Sequence, residues 1–272
     1  MGIAFHKMHG LGNDFVVIDA RVHPVSLSEA HIRAVADRHT GVGFDQLIII
    51  EPSTAADARM RIFNADGGEV EACGNATRCV TRLLGSDVRI ETLGGILHGR
   101  TTDDIPGGGA TIDLGEPRFD WQTVPLAYAM DTRDMPVGWD GLERPTAVNV
   151  GNPHVVFFVP DAQAVQLDIL GPRIETDPLF PERVNVNVAT ITGPNRIDLR
   201  VWERGVGLTL ACGTGACATA VAAIRLGLAT GPVTVTLPGG ALEIAWSPGE
   251  SIMMTGAATH VFSGEIDTGW LG

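Results

Sequence analysis

The feature that most constrains how this chain folds is a repeat. Cys212 follows Cys73 by 139 residues, and the same offset carries Gly12-Asn13 onto Gly151-Asn152, Gln46 onto Asn185, and "RIFN" (61–64) onto "RVWE" (200–203). Gly68 meets Gly207, Ala72 meets Ala211 and Gly74 meets Gly213. Past the cysteines the register slips by six residues, yet "TLGG" (92–95) still faces "LPGG" (237–240). Self-similarity at a fixed period marks a duplicated unit. Packing asks for matching strands; it does not ask for matching thiols.

Short β-branched or alternating runs such as "QLIIIE", "RMRIF", "HVVFFV", "RIDLRVW" and "PVTVTL", bounded by Gly, Pro and Asn, read as strands. Each half holds one clear helix near its middle, "NATRCVTRLL" and "GACATAVAAIRLG". The expected class is α+β, with strands wrapped around a central helix, twice over. A chain of 272 residues accommodates two such domains, and "GEPRFDWQTVP" (115–125) reads as the seam between them.

Composition narrows the function. A formal charge of −13 repels phosphate at a distance, which argues against nucleic acid or an anionic membrane as partner. The start, "MGIAFHKMHGLGNDF", lacks the basic and apolar regions of a signal peptide, and no apolar run reaches a membrane span, so a cytoplasmic place and four reduced cysteines are expected. Of the 19 basic residues only Lys7 is a lysine, which points away from pyridoxal phosphate and its Schiff base. The cysteine spacings lie inside apolar helices and do not follow a zinc pattern, so no metal is expected. "GTGACA" (213–218) has the form of a dinucleotide turn. No acidic residue stands about 20 positions on, however, and its counterpart "GNATRC" lacks the glycines.

In both halves a strand ends at Ala-Cys-Gly and a helix begins. The first backbone N–H groups of a helix lack intrahelical partners and carry the positive end of its dipole, so a carboxylate docks there and a thiol pKa is drawn down. Cys79 and Cys217, inside the helices, read as buried apolar side chains. If the two helix entrances converge on one cleft, a carboxylate held between Cys73 and Cys212 has its α-carbon between two thiols. One removes the α-proton, and the other delivers a proton to the opposite face. The pair then rests as one thiolate and one thiol and titrates as a unit.

Taken together, "KMHGLGNDFVVID", "FNADGGEVEACGNATRCV", "GNPHVVFFV", "FPERVNV", "WERGVGLTLACGTGAC" and "LPGGALEIAW" resemble the diaminopimelate epimerase family over essentially the whole chain. The resemblance implies two pseudo-symmetric domains, each a small β-barrel-like sheet around a central helix, with the active site in the cleft between them. It places residues 1–117 and 262–272 in the amino-terminal domain and 118–261 in the carboxy-terminal one. It makes Cys73 and Cys212 the catalytic base and acid, with Gly74, Asn75, Gly213 and Thr214 at the reacting carboxylate. Asn13, Gln46, Asn64, Asn152, Asn185, Glu203 and Arg204 line the substrate site, and His154 supports it.

The implied reaction interconverts LL- and meso-2,6-diaminopimelate without cofactor, in lysine and peptidoglycan-precursor synthesis, by a homodimer. Chemically, Glu203 suits an ammonium, Arg204 a distal carboxylate, and the asparagines offer donor and acceptor together. Two alternatives stand beside this reading: a proline racemase-like enzyme of the same superfamily, and an amino-acid binding protein. Leu208 stands where the family commonly has glutamate, which touches a supporting hydrogen bond rather than the reaction.

Overall fold

The computed structural model describes residues 2–71, 73–267 and 269. The chain forms two compact units, Met1–Ile112 with Gly256–Gly272, and Asp113–Thr255. In the first unit, in chain order, lie β1 (Gly2–Gly10), β2 (Asn13–Asp19), α1 (Glu29–Ala36), β3 (Gln46–Glu51), β4 (Ala58–Asn64), β5 (Glu69–Val70), α2 (Gly74–Leu84), β6 (Val88–Thr92), β7 (Gly95–Thr102) and β8 (Gly109–Asp113). The second holds β9 (Gly138–Trp139), β10 (Leu142–Glu143), β11 (Thr146–Asn149), β12 (Pro153–Phe158), α3 (Leu167–Glu175), β13 (Asn185–Gly193), β14 (Arg196–Glu203), β15 (Gly207–Thr209), α4 (Gly213–Leu226), β16 (Val233–Leu237), β17 (Gly240–Ala245) and β18 (Met253–Ala257). β19 (Thr259–Asp267) then pairs antiparallel with β1.

The repeat read from the sequence is a repeat of strand register. In the first unit β2 runs parallel to β3 with Phe15 beside Gln46; in the second β12 runs parallel to β13 with His154 beside Asn185, the same pair moved by the same offset. β3 pairs antiparallel with β4, Gln46 opposite Asn64, as β13 pairs with β14. β4 takes the short β5 on one part and the parallel β6 on another, and β14 takes β15 and β16 in the same way. β6–β7 and β16–β17 close the matching sequence as antiparallel pairs.

The boundaries fall earlier than the expected 117/118 and 261/262, and hydrogen bonds place them. Leu114 N–H donates to Ile252 O and Ile252 N–H to Gly115 O, at 3.0 and 2.9 Å, tying this segment to the second unit. Ala258 N–H donates to Gly108 O at 3.2 Å within the first. Of the expected returning segment 262–272, residues 262–267 lie in β19, while 268 and 270–272 lie outside the described residues, as does Ala72.

Central strands buried on both faces read as nearly continuous apolar runs, because alternate side chains enter different layers. In β2 and β3, Phe15, Val17, Ile48 and Ile50 face α2 together with Ala76, Cys79 and Val80, whereas Val16, Ile18, Leu47 and Ile49 meet Ile32 and Val35 of α1. The second unit repeats this, with α3 residues Leu167, Leu170 and Ile174 packed on Val155, Phe157, Val186 and Val188.

The sequence reading found α2 and α4 but not α1 and α3, which have eight and nine residues. Their signals are slight. α1 has a Ser28 capping box with His31 in place of the usual Glu or Gln, and α3 carries Pro172 inside it. α4 stops at Gly227, whose left-handed φ of 77° no β-carbon penalises. Among the described residues no helix is long and apolar enough to cross a membrane.

α2 lies so close to β7 that a β-carbon on Gly99 meets Thr81 Oγ1 at 2.1 Å and Cγ2 at 2.8 Å. Gly99→Ala is therefore expected to destabilise the protein by about 1–3 kcal/mol in urea unfolding, outweighing the roughly 0.5–1 kcal/mol that leaving glycine contributes. Adding Thr81→Ala, which clears the two closest atoms, should restore part of the loss.

Candidate active site

Strand direction decides which residues gather at the helix entrances. β2 begins at Asn13, β3 begins beside it at Gln46, and the antiparallel β4 ends at Asn64, so the three polar residues share one end of the sheet. β5 leads from that end into Cys73 and α2. A two-residue turn starts the arrangement, with Leu11 and Gly12 at left-handed φ of 56° and 87° between the paired residues Gly10 and Asn13.

Cys73 is the N-cap of α2, half-buried, with φ −147° and ψ 111°. Its carbonyl accepts from the Thr77 N–H and hydroxyl, each at 2.9 Å. Its sulfur lies 3.8 Å from Asn13 Oδ1. Asn75, in the first turn, donates from Nδ2 to the same Asn13 oxygen at 3.2 Å, and the fully buried Arg78 donates to Asn75 Oδ1 at 2.9 Å. Asn13 Nδ2 donates to Asp45 at 2.9 Å.

Asp45 belongs to an ionic cluster in which Arg38 bridges Asp45 and Asp14 at 2.8 and 2.7 Å, and Lys7 reaches Asp14 at 2.5 Å. Burial opposes the Asp14 charge, but Arg38 and Lys7 outweigh it and hold the carboxyl well below its usual range. Gln46 Nε2 donates to Asn64 Oδ1 at 3.0 Å, and Gln46 Oε1 is buried without a hydrogen-bond partner among the described residues.

In the second unit Cys212 is the N-cap of α4, with φ −114° and ψ 104°, and is buried. Gly215 N–H donates to its sulfur at 3.4 Å and Thr214 Oγ1 lies 3.6 Å away. The Glu203 carboxyl group, close enough for its charge to act on the thiol, accepts from the Thr209 hydroxyl. Burial, then the Glu203 charge, push the Cys212 thiol well above its ordinary pKa, against the smaller pull of Thr214 and Gly215. The expected lowering by the helix entrance therefore fails at Cys212: desolvation and a neighbouring carboxylate outweigh the dipole. Burial likewise raises Glu203. Cys79 and Cys217 are fully buried, and burial pushes Cys79 up to about 12.

The remaining expected residues form one chain. Asn185 Nδ2 donates to Pro153 O at 2.8 Å, and its Oδ1 accepts from the Arg204 N–H at 2.9 Å. The Arg204 guanidinium donates to Glu182 O at 3.0 Å. His154 is fully buried, with Nε2 2.9 Å from Asn152 Oδ1 and Nδ1 3.1 Å from Asn187 Nδ2. Its ring nitrogens thus meet asparagines rather than a cysteine. Burial draws its pKa down to about 3, so the imidazole is neutral. Leu208 is exposed, and its neighbour Thr209 supplies the hydrogen bond to Glu203.

Sequence reasoning missed four residues that hold these groups: Asp45, Arg78, Glu175 and Asn187. Buried Glu175 accepts from Trp202 Nε1 at 2.7 Å and Gly205 N–H at 2.9 Å, which fixes the turn carrying Glu203 and Arg204. An arginine inside an apolar helix and an asparagine inside an apolar strand were the available signals. Among the described residues no group of three or more His, Cys, Asp or Glu is arranged to hold a metal ion.

These features define a duplicated α+β fold with a cysteine capping each central helix. The fold is shared with a crystal structure of a phenazine biosynthesis protein of the PhzF family from Bacillus anthracis, at a TM-score of 0.67 and 17% identity over 98% of this chain and 99% of that one. The family model for diaminopimelate epimerase matches residues 5–119 and 146–261. A diaminopimelate epimerase of Rhizorhabdus wittichii is 69% identical over 268 residues, covering 98% of this chain and 96% of the relative. One from Sphingopyxis alaskensis is 69% identical over 267 residues, covering 98% of each. The chain belongs to the diaminopimelate epimerase family.

The Glu203 charge acts, after burial, to keep Cys212 protonated. In a Cys73→Ser background, Glu203→Gln should therefore shift the titration of Cys212 to lower pH, read as thiolate absorbance in the ultraviolet. An unchanged or higher midpoint would leave burial alone as the cause.

Proposed function

We propose that this protein interconverts LL- and meso-2,6-diaminopimelate by two-base proton transfer at the α-carbon, with Cys73 and Cys212 as the acid–base pair and with no metal or organic cofactor. The observation that carries the reading is the occupancy of both helix N-caps by cysteine at matched positions of a duplicated unit, in a chain of this family. The first N–H groups of each helix, from Gly74 and Asn75 and from Gly213 and Thr214, are suited to a carboxylate whose charge grows as the α-proton leaves.

Cys212, held protonated by burial and Glu203, suits the donor role, which leaves Cys73 as the base in that direction. The α-C–H bond breaks as an S–H bond forms at Cys73; the Cys212 S–H bond breaks as a new C–H bond forms on the opposite face. The reverse reaction exchanges the roles. Burial raises the Glu203 pKa, which suits a carboxyl that takes up the Cys212 proton when Cys212 must act as the base in the reverse direction.

At the distal end of the substrate, Arg204 suits the carboxylate and Asn13, Gln46, Asn64, Asn152 and Asn185 suit the remaining polar groups, with His154 behind them. The reading includes action in the cytoplasm, as a homodimer, on this small amino acid rather than on nucleic acid or membrane, within lysine and peptidoglycan-precursor synthesis.

Turnover in deuterium oxide should place solvent deuterium at the inverted α-carbon. Cys73→Ser and Cys212→Ser should each lower epimerisation by about 10²–10⁴-fold or more, the range of a positioned acid or base, with the fold retained by circular dichroism. Binding of diaminopimelate without exchange would make the protein a binding protein, and near-normal rates in either variant would sink the two-thiol mechanism. Light scattering of the purified protein tests the dimer.

A further inference from the structure

We infer that Asn187 is a positioning residue for the substrate site: through the His154 ring it fixes the Asn152 amide with its Nδ2 donors turned outward. The inference rests on the assignment of Asn152 to substrate binding made above. It starts from backbone carbonyls, whose identity as acceptors is not open to choice.

Asn187 Nδ2 lies 3.0 Å from Val155 O and 3.5 Å from Asn185 O. Two carbonyl oxygens on one side of the amide require the nitrogen there, so its orientation is set. One Nδ2 hydrogen serves Val155 O, and the other points at His154 Nδ1, 3.1 Å away. His154 Nδ1 must then be the acceptor and its proton must reside on Nε2. That N–H donates to Asn152 Oδ1 at 2.9 Å. With its oxygen held, Asn152 has only its amide hydrogens left to offer, which fits a carboxylate oxygen. The ring stays neutral, because burial and the Arg204 charge oppose a second proton.

Orienting Asn187 in this way leaves its Oδ1 buried without a partner among the described residues. That oxygen lies against the first turn of α4, where a β-carbon on Gly215 meets it at 2.7 Å and Cys212 Sγ at 3.2 Å. A buried orphan acceptor is destabilising, and the fold retains it beside the α4 entrance.

Among the described residues the first unit has no such chain. By the common register His154 corresponds to Phe15 and Asn187 to Ile48, both apolar core residues. There Asn13 is oriented from the helix, by Arg78 and Asn75, and its Nδ2 is taken by Asp45. The two homologous asparagines are therefore not equivalent: Asn152 keeps both amide hydrogens for a ligand, where Asn13 gives one of its own to Asp45.

Nitrogen-15 NMR of the imidazole rings tests this on the wild-type protein without reference to turnover, with the His154 signals assigned by their loss in His154→Phe. The expected result is a neutral ring protonated on Nε2 and unchanged between pH 5.5 and 8. An Nδ1-protonated ring, or titration within that range, overturns the inference. Asn187→Leu, which copies the apolar side of the first unit, should release the tautomer and raise KM for diaminopimelate by roughly 10-fold or more, with kcat changed by less than about 3-fold, as expected for a contact made equally in ground and transition states. A fall in kcat with KM unchanged, or an unaltered ring and KM, also overturns it. The expected ring state in a protein that does not turn over diaminopimelate leaves this relay standing and removes only the substrate assignment. If Asn187→Leu fails to fold, the wild-type spectrum decides.

Discussion

The structure depends on a helix whose first turn cannot satisfy itself. The opening N–H groups of an α-helix have no intrahelical acceptor, and here each central helix begins at the end of the sheet where two parallel strands start and an antiparallel one finishes. That end collects polar side chains because the strand interiors are buried on both faces and exclude them. Cysteine occupies the N-cap position where serine, threonine or aspartate is usual, and at α4 its sulfur accepts the Gly215 N–H. The site is thus a by-product of burying a helix under a sheet, made chemical by the choice of cap.

The same frame is made polar by opposite means in the two halves. In the first unit the charges lie on the helix and on an ionic cluster at the sheet end: Arg78 in α2, then Lys7, Asp14, Arg38 and Asp45. In the second, an uncharged chain of Asn187, His154 and Asn152 runs through the strands, and the charge beside the thiol is Glu203. Inversion at carbon needs a base on one face and an acid on the other. A duplicated fold supplies two similar helix entrances, and the charge environments around them differ.

Much of this was legible in the sequence because the repeat fixes register, and register fixes which residues share a strand end. Cys73, Cys212, Gln46, Asn64, Asn185 and Glu203 follow from the offset together with the strand pattern. The helices α1 and α3 were not legible, being short, weakly capped and in one case interrupted by proline. Nor were Arg78, Glu175 and Asn187, since a polar residue inside an apolar run declares its presence but not its partner. The protonation of Cys212 was misjudged for a related reason: helix position can be read from sequence, whereas burial and the approach of Glu203 depend on packing.

Gly215 bears on how far the two halves can be exchanged. Its counterpart in the first half is Ala76, which has a β-carbon and packs with Ile48; in the second half the residue facing the helix is Asn187, whose oxygen occupies the space that β-carbon needs. Helix and sheet residues are therefore matched to one another within each copy. A segment transplanted from one half into the other meets either a collision or an unfilled gap. The two copies share a strand register, but at this helix–sheet contact their segments are not interchangeable.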